Sequence, residues 1–221
     1  MLPEPSQLIE TEFYFLRHGE TDWNLQHLAQ GQTDIPLNAR GRGQAHSARD
    51  LLSGLAIGTI VSSPLSRALD TAKILQESLG CPLEIVEDLV ECGWGAGEGQ
   101  FRGAWFDDWK TGRFLPKDAE TYENFLKRAL RGTNQALAYP GPVLIVAHGG
   151  IYWTIQKHAT LDAEFDLPNA TPIRHDPPRT GFPWWNATLL SAAIPAVSDQ
   201  KSPADETGGK TMPPPKASFP D

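Results

Sequence analysis

The segment that most constrains this chain is Phe13-Tyr-Phe-Leu16, four large apolar residues that stop abruptly at Arg17-His18-Gly19-Glu20-Thr21. Such a run is too short for a helix, and its lack of polar alternation reads as a strand buried on both faces. Pro142-Val-Leu-Ile-Val-Ala147 behaves the same way and stops at His148-Gly149-Gly150, and Gly58-Thr-Ile-Val61 forms a third run. Helical patterns lie between them. One begins at Ser63-Pro64, with Ser as cap and Pro at the first helical position, carries Leu65, Ala68, Leu69, Ala72, Leu75 and Leu79 at helical spacing, and stops at Gly80. A second runs from a cap near Asn38 through Ala45, Ala48, Leu51, Leu52 and Leu55; a third covers Thr121 to Leu137 with an apolar stripe of Tyr122, Phe125, Leu126, Ala129 and Leu130. Alternating strands and helices predict an α/β fold: three layers, α/β/α, around a mostly parallel central sheet.

The length of 221 residues suits one domain with a well-filled core. No apolar run approaches the roughly 18 to 20 residues that span a bilayer, so no membrane partner is expected. The formal charge of −8 works against a polyanionic partner, which excludes nucleic acid and leaves small phosphorylated molecules. Two cysteines, Cys81 and Cys92, offer neither a disulfide framework nor zinc spacing and read as reduced thiols. The opening Met1-Leu-Pro-Glu-Pro-Ser-Gln lacks the pattern of a secretory signal, and the expectation is a cytoplasmic chain. From residue 198 the sequence turns polar and proline-rich, so 198–221 is expected to be a disordered tail, with a recognition role for Pro213-Pro-Pro215 as the alternative. The domain itself is read as residues 1–197.

The chemistry collects where the strands end. His18 and His148 each follow a strand, and Arg67 falls in the first turn of the helix after the third strand. In parallel α/β sheets ligands gather at the carboxyl edge of the strands, so neighbouring strands would bring Arg17, His18, Arg67 and His148 into one anion pocket. Each residue has a plainer reading by itself. A lone histidine after a strand is commonly bonded to backbone, and a lone arginine in a first helical turn is commonly solvated.

Leu16-Arg17-His18-Gly19-Glu20-Thr21 with Trp23-Asn24, Ser62-Ser-Pro-Leu-Ser-Arg67-Ala-Leu-Asp-Thr71-Ala, Leu89-Val-Glu91-Cys-Gly-Trp94-Gly-Ala-Gly-Glu98-Gly and Val146-Ala-His148-Gly-Gly together resemble the histidine phosphatase superfamily, in its phosphoglycerate-mutase-like branch. The resemblance spans roughly residues 12 to 190, in the family's order. It implies a nucleophilic histidine, His18, and a phosphohistidine intermediate, with Arg17, Asn24, Arg67, His148 and Gly149 as phosphate contacts. Phosphoryl transfer spreads negative charge over three oxygens, so catalysis is mostly positioning and electrostatic stabilisation. Arg17 and Arg67 would hold those oxygens and also disfavour a protonated His18. Glu91 is the candidate general acid, a carboxyl whose proton affinity a bound phosphate would raise.

Glu20, Asp22 and Glu98 are competing carboxylates, with solvated or capping roles as their plain reading. Trp94, Trp105, Phe106 and Trp109 either line the pocket mouth or pack as core. Asn169-Ala-Thr and Asn186-Ala-Thr match a glycosylation pattern and are taken as chance matches in a cytoplasmic chain. The resemblance implies a longer insertion between the acid and the second histidine in a cofactor-dependent phosphoglycerate mutase; here the stretch from Glu91 to His148 is short, holding little beyond one helix and no dense basic patch, which favours a phosphomonoesterase. A non-catalytic phospho-ligand-binding module is the third reading, disfavoured because His18 and Glu91 serve bond breaking rather than binding. Two arginines and a histidine supply the positive charge a metal would bring, so neither metal nor cofactor is expected. Sugar phosphates, phosphoglycerate, nucleotides and phosphorylated cofactor precursors all fit this residue set, and it carries no signal for oligomeric state.

Overall fold

The computed structural model describes residues 6–161 and 167–190, so the expected tail at 198–221 lies outside the described residues. In chain order the elements are β1 (Phe13–Arg17), α1 (Asp22–Leu25), α2 (Ala39–Leu52), β2 (Thr59–Ser62), α3 (Ser66–Leu79), β3 (Leu83–Ile85), α4 (Ala104–Lys110), α5 (Tyr122–Leu137), β4 (Val143–Ala147), α6 (Gly149–His158), β5 (Ile173–Asp176) and β6 (Asn186–Leu189). The strands form one sheet in the order β3-β2-β4-β1-β5-β6. The four strands β3, β2, β4 and β1 are parallel, while β5 and β6 join antiparallel. The three runs singled out in the sequence are therefore the three central parallel strands.

Alternation along those strands sorts their side chains onto two faces. Phe13, Phe15, Val143, Ile145 and Ala147 pack on one side with Phe125, Ala129 and Leu130 of α5 and Ile151 and Ile155 of α6. Tyr14, Leu16, Ile60, Leu144 and Val146 pack on the other with Ala48 and Leu52 of α2 and Ala68, Ala72 and Leu75 of α3. This is the expected three-layer arrangement. Cys92 is buried, Cys81 half-buried, and both are free thiols. Among the described residues no helix is long and apolar enough to cross a membrane.

Caps at Asn38, which accepts from the Gly41 amide, and Thr121, which accepts from Asn124, start α2 and α5 where the sequence suggests. Gly80 ends α3 in the left-handed conformation (φ 64°) that a side chain disfavours. The start of α3 departs from expectation. It begins at Ser66 rather than at Ser63-Pro64, and its first amide is capped from a distant loop, Ser66 N donating to Asp34 Oδ1 at 2.8 Å. Ser63 is diverted to His148 instead. The stretch between Glu91 and His148 is also fuller than expected, holding α4 and α5 rather than one helix.

Candidate active site

β1 and β4 are hydrogen-bonded neighbours whose last residues, Arg17 and Ala147, lie in register. His18 and His148, one residue further on, consequently meet at the carboxyl edge of the sheet with ring centroids 5.3 Å apart. The His18 amide donates to Ala147 O at 2.9 Å, tying the two strand ends together. A brace comes from 167–170: Asn169 Nδ2 donates to His18 O (2.8 Å), Ala170 N to Arg17 O (2.8 Å) and Arg17 Nη1 to Leu167 O (3.1 Å).

The His18 ring is held in one useful tautomer. Its Nδ1 lies 2.7 Å from Gly19 O, and a carbonyl can only accept, so Nδ1 carries the proton and Nε2 keeps the lone pair. Burial first, then the Arg67 and Arg17 guanidiniums, push its pKa well below the ordinary histidine value. His148 is fully buried and stays neutral for similar reasons: burial, Arg67, His18 and the two further arginines Arg17 and Arg128. Its Nε2 is 2.7 Å from Ser63 Oγ, while its buried Nδ1 has no partner among the described residues.

Arg67 is 0% exposed. It is oriented by two carbonyls of the loop after α1, with Nη2 donating to Gly31 O at 2.7 Å and Nη1 to Thr33 O at 2.9 Å. Burial pulls its pKa down to about 10, against the opposing pull of Glu91, Asp34 and Glu98, so it remains charged at neutral pH. One turn further along α3, Thr71 Oγ1 donates to Arg67 O (2.7 Å) and accepts from Gly19 N (3.0 Å), linking the helix to the loop after His18.

The Glu91 carboxylate reaches the same place from the opposite side. Cys92 N donates to its Oε1 at 2.8 Å and Gly150 N to its Oε2 at 3.1 Å, so it rests on the first turn of α6, directly after His148. Asn24 Oδ1 accepts from Thr21 N and Thr21 Oγ1, at 3.2 and 3.1 Å, which leaves the amide nitrogen as its donor end. Arg17, His18, Asn24, Arg67, Glu91 and Gly149 all line one pocket. His148, fully buried, is not among the lining residues.

The competing carboxylates are accounted for elsewhere. Glu20 accepts from Asn38 Nδ2 and faces Arg40 at 3.4 Å. Asp22 is exposed at the start of α1. Glu98 accepts from the amides of Gln32, Thr33 and Trp94 and from the Thr33 hydroxyl, which makes it a loop anchor. The aromatic group divides. Trp94 lines the pocket, Trp109 is buried core with its Nε1 on Glu120 O, Phe106 packs against both, and Trp105 lines a separate apolar groove with Phe101 and Phe114. Arg102 and Trp153 line the pocket too and were not singled out in the sequence. Arg102 sits in a loop and Trp153 on a helix face, and no local pattern distinguishes either from a solvated or packed residue. Among the described residues, no three His, Cys, Asp or Glu side chains cluster as metal ligands would.

A neutral buried imidazole between two guanidiniums, at the carboxyl edge of a parallel sheet, defines an α/β protein built to handle a phosphoryl group. The chain belongs to the histidine phosphatase superfamily (branch 1), whose family model matches residues 13–177. It is 41% identical over 146 residues to the uncharacterized phosphatase PhoE of Bacillus subtilis, covering 63% of this chain and 72% of that one. Over 84 residues it is 39% identical to a probable phosphoglycerate mutase, GpmB, of Salmonella choleraesuis, and there the match covers 38% of this chain and 39% of the relative. A solved mycobacterial glucosyl-3-phosphoglycerate phosphatase, complexed with VO3, superposes with a TM-score of 0.66 at 27% identity, covering 82% of this chain and 98% of that one. The names of the first and third agree with the expectation of a phosphoric monoester hydrolase.

Proposed function

We propose that this chain hydrolyses small phosphomonoesters through a phosphohistidine on His18. The observation that carries the reading is the Nδ1 to Gly19 carbonyl contact of 2.7 Å, which leaves Nε2 as the nucleophilic nitrogen of a ring kept neutral by burial and two arginines. In the first step Nε2 attacks phosphorus, the ester P–O bond breaks, and the leaving oxygen takes a proton from Glu91. In the second, water gives a proton to Glu91 and attacks phosphorus, and the P–N electron pair returns to Nε2. Arg17, Arg67, the Asn24 amide and the Gly149 backbone N–H hold the phosphoryl oxygens. His148 joins them through Nδ1, which carries the proton when Nε2 accepts the Ser63 hydroxyl.

A phosphoglycerate mutase is the second reading, favoured by Arg102 in the pocket wall, where a cation could hold a substrate carboxylate, and by the partial likeness to GpmB. The deciding experiment incubates the protein with a panel of phosphomonoesters including 3-phosphoglycerate, with and without 2,3-bisphosphoglycerate. Release of inorganic phosphate in the absence of the bisphosphate is the expected result. Isomerisation to 2-phosphoglycerate without phosphate release would replace hydrolase by mutase, and neither reaction on any ester would leave only a binding module.

A further inference from the structure

Glu91 is carried by an irregular stretch, one residue past the end of a 3-10 turn at Glu87–Leu89 and its cap Val90, so no helix or strand ladder fixes its backbone. Side chains do so instead: Gln32 Nε2 donates to Glu91 O at 3.2 Å, and Arg128 of α5 holds three carbonyls of the segment. Arg128 Nη1 donates to Asp88 O at 2.8 Å and Val90 O at 2.9 Å, and Nη2 donates to Glu91 O at 3.1 Å. The same guanidinium is held in a fork by Glu120, Nε to Oε1 at 2.8 Å and Nη2 to Oε2 at 2.7 Å. Glu120 Oε2 also accepts from Gly93 N at 3.0 Å, so the pair grips the acid-bearing segment on both sides of Glu91.

The helix is pressed onto that segment. A Cβ on Gly132 would lie 2.7 Å from the Asp88 carbonyl carbon, closer than packing allows, and Arg131 Nε pairs with Asp88 Oδ2 at 2.6 Å. Only a planar donor group with several fixed N–H vectors can serve three carbonyls and a carboxylate at once, which is a property of arginine and not of lysine.

We propose that Arg128, locked by Glu120, is the positioning residue for the general acid, setting where the Glu91 carboxyl meets the leaving oxygen. The proposal rests on the reading of Glu91 as the acid. A small displacement of an acid costs most when the leaving group needs its proton, so the defect must depend on the leaving group. A merely structural role would lower all substrates alike.

The test compares kcat/KM, which reports only steps up to departure of the leaving group, for p-nitrophenyl phosphate and for glycerol 2-phosphate. It uses the full chain as wild type, Glu91→Gln, Arg128→Gln, Arg128→Lys and the double variant Glu91→Gln with Arg128→Gln. Arg128→Gln is expected to lower the alkyl ester by about tenfold or more beyond its effect on the aryl ester, on the scale of general acid catalysis. Arg128→Lys should show the same selectivity, and serves if Arg128→Gln does not fold. In the Glu91→Gln background, Arg128→Gln should add no further selectivity. Equal losses on both esters in the Arg128 variants, with selectivity intact in Glu91→Gln, would overturn the positioning role. Equal losses in Glu91→Gln itself would overturn the acid assignment on which it rests.

Discussion

Glu98 and Arg67 are coupled through one loop: the carboxylate of Glu98 accepts from the backbone amides of Gln32 and Thr33 (both 2.9 Å), and the carbonyls of Gly31 and Thr33 then accept from the Arg67 guanidinium. Gly31 makes the approach possible. It has φ +54°, and a Cβ there would fall 2.2 Å from Glu98 Oε1. A residue that reads in sequence as a spare acid is thus the anchor of the loop that aims a buried cation.

Removing that anchor should weaken stability and turnover together. Glu98→Ala leaves the amides of Gln32 and Trp94 without this acceptor, while Thr33 N keeps Gln30 O at 3.2 Å, a loss of about 1–3 kcal/mol for unsatisfied groups, visible as a lower thermal midpoint. On the proposed role of Arg67, stabilising charge common to every substrate, kcat/KM for aryl and alkyl esters should drop in parallel. An Glu98→Ala protein with wild-type kinetics on both would show that Arg67 is aimed without this loop.

His18→Ala should abolish turnover and the acid-labile phosphoenzyme seen in a rapid-quench experiment with labelled substrate, since the neighbouring imidazole of His148 has its Nε2 engaged by Ser63 and offers a protonated Nδ1, not a lone pair. The acid limb of wild-type kcat/KM carries a second check. Protonation of His18 removes the nucleophile, and its pKa is held well below the usual histidine value by burial, Arg67 and Arg17. Activity should therefore persist below pH 6.5 as far as His18 governs it, and a limb centred at or above 6.5 that vanishes with no other group would contradict the depressed pKa.

The fold was legible because its three central strands are short, apolar on both faces and sharply bounded, and because histidines leave two of them. The convergence of His18 with His148 followed from parallel pairing alone. β5 and β6 were not legible: Ile173-Arg-His-Asp176, though paired on both sides, alternates buried and half-buried residues, and Asn186-Ala-Thr-Leu189 at the sheet edge is largely exposed, so neither shows a buried apolar run. Ser63-Pro64 resembles a helix start, yet tertiary partners override it, Asp34 taking the cap and His148 taking Ser63. Asn169 matched a glycosylation pattern and instead braces His18, and Arg128 acts across 37 residues of sequence on Glu91, a relation no local spacing reveals.

Chelation should leave the rate unchanged. In the proposed reaction the charge that a metal would contribute to a phosphoryl group comes from Arg17 and Arg67, which both line the pocket. Assay after exhaustive EDTA treatment and dialysis checks it. A loss of activity restored by added Mg²⁺ would mean that the guanidiniums do not suffice.

His175 is a second source of pH dependence, remote from the pocket lining. Its ring stacks on Phe13 at 4.4 Å and 3°, meets the edge of Tyr152, and finds no hydrogen-bond partner among the described residues. Burial drives its pKa down to about 3. The folded pKa lies below the unfolded value near 6.5, so the unfolded chain binds the extra proton and stability is lost as pH falls from about 6.5 towards 3. His18 and His148 contribute in the same direction. His175→Phe should therefore reduce the slope of unfolding free energy against pH in that window by up to one proton, about 1.4 kcal/mol per pH unit. Denaturant melts across the window measure it, and an unchanged slope would mean that the ring is already protonated in the folded protein.

The two glycines after His148 should respond oppositely to the same change. A Cβ on Gly149 meets nothing closer than Arg17 Nε at 3.9 Å, ordinary contact, and alanine retains the backbone N–H. A Cβ on Gly150 would lie 2.2 Å from Glu91 Oε1 and 2.8 Å from Phe125 Cζ, a space already filled from both sides. Phe125 is core and cannot retreat cheaply, so the Glu91 carboxylate must move and surrender its bond from Gly150 N. Gly149→Ala is expected to keep kcat/KM within about threefold of wild type on both esters, whereas Gly150→Ala should lower the alkyl ester by roughly tenfold or more beyond the aryl ester, as expected for a misplaced acid. Equal kinetics for the two variants would mean that the first turn of α6 shifts as a body, and that Gly150 does not seat the Glu91 carboxylate.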